Sequence, residues 1–193
     1  LGSTYMQFIP IVERHAKTQS VADFSVPSEG YGQFLVDVFH EWYAHDVGKI
    51  YVSQFDNLLG QWLGYPSTTC VHQPTCGQSL VTEANGDVYA CDHFVYPEYK
   101  MGNLTQQPLT EIVLSNKQQQ FGLEKSQKLT ALCRRCEFRK LCYGGCPKHR
   151  FISLENEPNP HNYLCASYRY FFEQTAPYMQ AMARQIRLHP SAA

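Results

Sequence analysis

The sequence predicts an α+β protein, on three observations. Residues 31–46 (YGQFLVDVFHEWYAHD) place Phe34, Leu35, Val38, Phe39 and Trp42 at helical spacing, so one face of a helix is apolar. Residues 78–92 (QSLVTEANGDVYACD) alternate on either side of Asn85-Gly86, the signal of a β-hairpin closed by a type I′ turn. Residues 166–187 (ASYRYFFEQTAPYMQAMARQIR) read as helix on both sides of Pro177, which lacks an N–H and is expected to break or kink it.

The remaining elements follow in chain order. Tyr5 to Val12 (YMQFIPIV) is β-branched and aromatic, as a buried strand is, with Pro10 near its end or at an edge. Residues 13–30 mix charge with Ser, Pro and Gly and read as a loop. Lys49 to Phe55 reads as a strand and Asp56 to Leu63 as a short helix. From Cys70 onward turn residues become dense. Residues 108–120 form a helix starting near Pro108 or Thr110, and residues 126–150 hold a run of cysteines. Tyr168, Tyr170, Phe171 and Phe172 are expected to pack the last helix against the core.

Composition narrows the function. Of 193 residues 44% are hydrophobic, enough for a real core, and the formal net charge is −1. No global positive field argues for nucleic acid. No apolar run approaches the roughly 18 residues of a membrane span, and no basic-then-apolar signal segment opens the chain. The expectation is a soluble cytoplasmic protein. The chain starts at Leu1 with a strand-like stretch, so it is expected to be a piece that begins inside a larger protein.

Eight cysteines need an explanation. Residues 133–149 (CRRCEFRKLCYGGCPKH) space four of them by two, five and three residues, and Cys70, Cys76, Cys91 and Cys165 lie outside the run. Disulfides would need an oxidising compartment. Two four-thiolate zinc sites would use every thiol. Two 4Fe–4S clusters would also use every thiol, at one thiolate per iron. Dense ferredoxin runs pass their fourth cysteine to the neighbouring cluster. Shared in the same way, Cys133, Cys136 and Cys142 would act with Cys165, while Cys146 would cross to a site on the hairpin.

The full pattern is Cys76-x9-Gly86-x4-Cys91, then Cys133-x2-Cys136-x5-Cys142-x3-Cys146, then Cys165. It resembles the SPASM domain, the twin auxiliary-cluster module at the C-terminus of many radical SAM enzymes. Cys70, Asp92 directly after Cys91, KMGNL at 100–104 and CYGGCPKHR at 142–150 narrow the resemblance to the anaerobic sulfatase-maturating enzymes, which oxidise a cysteine or serine of a sulfatase to Cα-formylglycine. YMQFIPIVER is similar to a late strand of their partial barrel.

The resemblance implies a remnant of a partial α/β radical SAM barrel over residues 1–66. A SPASM domain with the C-terminal helix would follow over 67–193. It implies one cluster on Cys70, Cys76, Cys91 and Cys146 and a second on Cys133, Cys136, Cys142 and Cys165. Asp92 matches the family's general base. The implied partners are a sulfatase polypeptide and a flavodoxin or ferredoxin, with no nucleic acid and no membrane. Such an enzyme also needs S-adenosylmethionine and a third 4Fe–4S cluster on a C-x3-C-x2-C loop. The nearest sequence here, Cys142-x3-Cys146-x2-His149, ends in histidine. The chain alone is therefore expected to be inactive.

Other residues carry two readings each. His72 and His93 flank ligand positions and would tune a cluster, line a substrate channel, or simply pack. Arg134, Arg135, Arg139 and Lys140 form a basic patch that would dock an acidic electron carrier or offset cluster charge. The rival functions are a SPASM enzyme acting on a different peptide and a zinc-stabilised interaction module without catalysis. Cys70 and Asp92 favour sulfatase maturation. A barrel remnant would also expose a strand edge that invites pairing with a second chain.

Overall fold

The computed structural model describes residues 2–15 and 17–189. It divides into two compact units, residues 1–69 with 163–193 and residues 70–162.

The first unit is built on a β-α-β crossover. Strand β1 (Tyr5–Met6) pairs in parallel with β2 (Tyr51–Val52), and helix α1 (Ser28–His45) lies between them in sequence. Asp56 accepts the Val52 N–H at 2.8 Å and so caps helix α2 (Ser53–Leu63) at its start. Helix α7 (Cys165–Leu188) returns from the far end of the sequence to pack along α1 and α2. Phe39 and Phe55 are fully buried and meet edge to face at 5.4 Å, with Phe171 against both. Each such ring contributes about 1.5–3 kcal/mol by burial.

Three expectations for this unit are modified. The strand expected over 5–12 shrinks to two residues, and Tyr5, Ile9 and Ile11 are exposed. Residues 7–12 gain no ladder partner, and propensity without pairing does not make a strand. Helix α7 runs unbroken through Pro177. Its buried face, which includes Phe171, Phe172, Thr175, Met179 and Met182, outweighs the ~3 kcal/mol that an interior proline costs. The strand expected over Lys49 to Phe55 is likewise two residues long, because helix α2 already starts at Ser53.

The second unit holds a three-stranded antiparallel sheet of β3 (Val81–Thr82), β4 (Asp87–Tyr89) and β5 (Lys100–Asn103). The hairpin is as the sequence predicts, but its turn differs. Glu83 accepts from the Gly86 N–H at 2.9 Å and donates to Asp87 at 2.9 Å, with Gly86 at φ +85°. Asn85 keeps a negative φ, its side chain accepting from the Asp87 N–H at 3.0 Å. This is a three-residue loop closed by a left-handed glycine, not a type I′ turn. The expected helix 108–120 is two helices, α3 (Leu109–Val113) and α4 (Asn116–Gln127). They split because Ser115 caps the second, accepting from Gln118 N at 3.2 Å. Short helices α5 (Ala131–Arg135) and α6 (Arg139–Cys142) carry the cysteine run. Strands β6 (Arg150–Ile152) and β7 (His161–Asn162) pair antiparallel.

The cores of the two units differ in kind. Buried apolar residues of the second unit are few (Val88, Ala90, Ile112, Leu129, Phe138 and Cys146). Gln118, Lys125, Thr130, His149, His161 and Asn162 are buried among them. A small domain with so thin an apolar core normally draws on metal or disulfide for stability.

Candidate metal centre

None of the eight cysteines is in a disulfide. Four come together in the second unit. Cys70 opens a 3-10 turn that runs to His72, and Cys91 follows β4 after Ala90. The charge on Cys76 would feel Cys70, that on Cys91 would feel Cys146, and that on Cys146 would feel both Cys76 and Cys70. Burial pushes the Cys91 thiol up to about 12, helped by its hydrogen bond to Asp92. Burial likewise raises Cys146 to about 11 and shifts Cys76 upward. Thiols this hard to ionise are poor nucleophiles and poor disulfide formers. A metal that displaces their protons supplies the missing positive charge.

Among the described residues, no three His, Cys, Asp or Glu side chains gather closely enough to hold one ion. A cluster takes one thiolate per iron and spreads its ligands wider than the shell of a single tetrahedral ion. The donor set, soft, mutually repelling and spread over four loops, fits a polynuclear iron–sulfur group.

The second group of thiols lies on α5 and α6. Cys133 Sγ is 3.7 Å from His161 Nδ1, which also lies 3.1 Å from Thr130 Oγ1. Thr130 caps α5 by accepting from Cys133 N at 3.3 Å. Cys136 follows α5, its N–H donating to Cys133 O at 3.2 Å, and Cys142 closes α6. Cys165 is the first residue of α7, in the first unit.

The turn between Cys142 and Cys146 explains YGG. Tyr143, Gly144 and Gly145 all adopt left-handed φ, +48°, +72° and +61°. A Cβ on Gly144 would lie 2.5 Å from a Leu129 methyl and 2.8 Å from an Arg150 nitrogen. Leu129 and the Arg150 guanidinium fill that space, and Arg150 also bonds the turn. It donates to the carbonyls of Tyr143 at 2.9 Å, Gly144 at 3.1 Å and Lys125 at 2.7 Å. Its charge acts on Cys133 and Cys142 as well as on Cys76 and Cys146. The Asn162 amide adds bonds to Gly144 O at 3.0 Å and Cys146 O at 3.2 Å. The His72 ring is bonded to the Cys142 backbone, and burial holds it neutral, at about 4.

Asp92 is exposed. Its Oδ1 accepts from Cys91 Sγ and from His93 N, both at 3.0 Å. These bonds, Cys91's above all, hold the carboxyl below its ordinary range. His93 is also exposed, with Nδ1 3.5 Å from Cys146 Sγ. Its ring stands 6.4 Å from that of His149, which burial drives down to about 4 and whose buried Nδ1 has no partner among the described residues. Arg134, Arg135, Arg139 and Lys140 are exposed on and around α5 and α6.

Sequence reasoning missed Gln118, Lys125 and Arg150. Gln118 and Lys125 sit in NKQQQFGLEKSQ, which reads as a solvated polar helix. Yet both are buried, at 3% and 1% exposure. Their i, i+7 spacing, with Gly122 between, was the available signal of a shared face.

Comparison with known proteins agrees with this picture. The SPASM iron-sulfur cluster-binding domain matches residues 70–137. A serine-type anaerobic sulfatase-maturating enzyme of Bacteroides thetaiotaomicron is 43% identical over 197 residues, covering 94% of this chain and 47% of that protein. A cysteine-type anaerobic sulfatase-maturating enzyme of Clostridium perfringens is 31% identical over 185 residues, 95% of this chain and 50% of its own. The solved structure of native anSMEcpe with bound AdoMet and Cp18Cys peptide superposes with TM-score 0.81 at 31% identity, over 95% of this chain and 51% of that one. The chain thus spans about half the length of the curated relatives it matches. By sequence and by fold alike, it is similar to the anaerobic sulfatase-maturating enzymes over about half their length, with a SPASM match over residues 70–137.

Proposed function

We propose that this chain is the auxiliary-cluster part of a radical SAM enzyme that oxidises a sulfatase cysteine or serine to Cα-formylglycine. The observation that carries the reading is the convergence of Cys70, Cys76 and Cys146 around the buried Lys125, with Cys91 beside Cys146. These four would hold one 4Fe–4S cluster. Cys133, Cys136, Cys142 and Cys165 would hold the second. When bound, the clusters would accept and pass on the electron released as the target residue is oxidised. The β-α-β crossover of the first unit is the kind of repeat from which a partial barrel is built, and residues 1–66 would be its end. S-adenosylmethionine and its own cluster would sit on sequence that these residues do not include.

The chain's own residues would do the following. Asp92, exposed beside a ligand position and ionised at neutral pH, would take the proton from the substrate thiol or hydroxyl. A sulfatase peptide is the expected substrate, as in the peptide-bound structures of anSMEcpe. The exposed Arg134, Arg135, Arg139 and Lys140 would receive an acidic flavodoxin- or ferredoxin-type donor. The two-stranded sheet with exposed Tyr5 would be completed by further barrel strands or by a second copy. Among the described residues, no helix is long and apolar enough to cross a membrane.

The test is iron, sulfide and zinc content after purification without oxygen. Roughly eight irons and eight sulfides per chain are expected. About two zinc ions and no sulfide would overturn the reading in favour of structural zinc. In the full enzyme, Asp92→Asn should abolish turnover with iron content unchanged. Normal turnover in that variant would remove the proposed base.

A further inference from the structure

Helix α4 turns one face toward the backbone of the loops that carry Cys70, Cys76 and Cys91. Gln118 Nε2 donates to Gly77 O at 2.8 Å and Ala90 O at 3.2 Å, the carbonyls next to Cys76 and Cys91. Gly122 accepts from Cys76 N at 3.1 Å. Ser126 Oγ donates to Pro74 O. Lys125 Nζ donates to Cys70 O and, at 2.9 Å, to Val71 O. The helix therefore grips three of the four loops of the first thiol group.

Lys125 is the anomaly on that face. It is 1% exposed, and among the described residues no carboxylate pairs with it. The charges that act on it are those of Cys76, Cys146 and Cys70, together with Arg150. Two carbonyl hydrogen bonds do not offset the burial of an unpaired ammonium. Neutral thiols do not offset it either. Four thiolates around an iron–sulfur group do, because that assembly carries net negative charge.

We infer that Lys125 is a positioning residue built into α4 as the buried counter-charge of whatever anionic group the Cys70, Cys76, Cys91 and Cys146 thiols bind. It ties the Cys70 arm to the others and sets the charge of that group. This rests on the cluster reading above and adds to it. The first cluster would carry a dedicated buried cation, while Arg150, bonded to the Lys125 carbonyl, faces both thiol groups.

The experiment compares wild type with Lys125→Gln, Lys125→Met and Lys128→Gln, all purified without oxygen. Lys128 is an exposed lysine one residue past the same helix, paired with Glu124. Iron content and the midpoint potentials of both clusters, followed by EPR during redox titration, are the readouts. Removing a positive charge favours the oxidised state. One potential should therefore fall by at least a tenfold change in the reduction equilibrium, about 59 mV for one electron, while the other moves far less. Loss of about four irons with the second cluster retained would equally support the inference. Lys128→Gln should change neither readout. Full iron content with both potentials unmoved in the two Lys125 variants would overturn it, since a neutral amine satisfies the same carbonyls. Wild type without roughly eight irons would overturn the cluster reading itself, and this inference with it.

Discussion

Replacing Gly122 by alanine sets two effects of known size against each other. In a helix interior alanine is better than glycine by about 1 kcal/mol, so propensity alone predicts a more stable protein. The geometry opposes it. A Cβ at Gly122 would lie 2.6 Å from the carbonyl oxygen of Cys76, a backbone atom that no rotamer change can move aside. Relief requires α4 and the Cys76 loop to separate by several tenths of an ångström. Overpacking of this kind costs about 1–3 kcal/mol. The separation also stretches the Cys76 N–H bond to Gly122 O, now 3.1 Å, worth about 0.5–1.5 kcal/mol. The net expectation is a loss of about 0.5–3.5 kcal/mol, with iron lost first from the group that Cys76 is proposed to hold. Gly60, inside α2 with nothing within 4 Å of its would-be Cβ, is the control. There the same substitution should gain up to about 1 kcal/mol. Anaerobic urea unfolding and iron analysis on both variants decide the matter. Gly122→Ala as stable as Gly60→Ala and fully loaded with iron would refute the argument.

Three other perturbations probe different parts of the molecule. Phe39→Ala removes a ring with no exposure that contacts Trp42, Phe55, Phe171 and Tyr178, and should cost about 3–5 kcal/mol in urea unfolding. Asp87 accepts from Lys100, Asn103 and Asn85, which together hold its carboxyl below the ordinary value. Its stabilisation is therefore present above the unfolded carboxyl pKa and lost as pH falls through the lower folded one. Asp87→Asn should flatten that acid limb of the stability curve, and an unchanged limb would exclude the linkage. Arg150→Gln removes the clamp on the Tyr143 and Gly144 carbonyls and a charge shared by both thiol groups. Iron loss should then fall on both proposed clusters rather than one, as iron analysis with EPR would show.

What the sequence made legible followed from local rules. Phe34 to Trp42 repeat at helical spacing, and α1 appears within three residues of the expected start. Asn85-Gly86 announced the hairpin, although the Asn85 side chain selected a different turn by binding the Asp87 N–H. Cysteine spacing pointed to the SPASM domain, which matches residues 70–137, because thiols have few other reasons to recur so densely. What stayed hidden depended on distant partners. Strand β5 is polar (KMGN) and is a strand only because β4 pairs with it. Gln118 and Lys125 look solvated until the carbonyls of Cys70, Val71, Gly77 and Ala90 are brought against α4. The membership of α7 in the first unit, across the cysteine-rich insertion, is a long-range packing fact that no local window contains.

The two units therefore meet the entropy of folding by different means. The first does so with aromatic burial, Phe39 against Phe55 and Phe171, which is independent of any bound group. The second buries an ammonium, several imidazoles and raised-pKa thiols where apolar side chains would ordinarily sit. In water those groups are solvated at no cost. Inside the fold each carries a desolvation penalty that packing cannot repay. Positive metal charge at the thiols would reverse the sign of the account, since thiolates would then favour the buried Lys125 and the half-buried Arg150 instead of leaving them unpaired. Binding and folding of residues 70–162 are on this argument a single equilibrium, while the core of the first unit owes nothing to it.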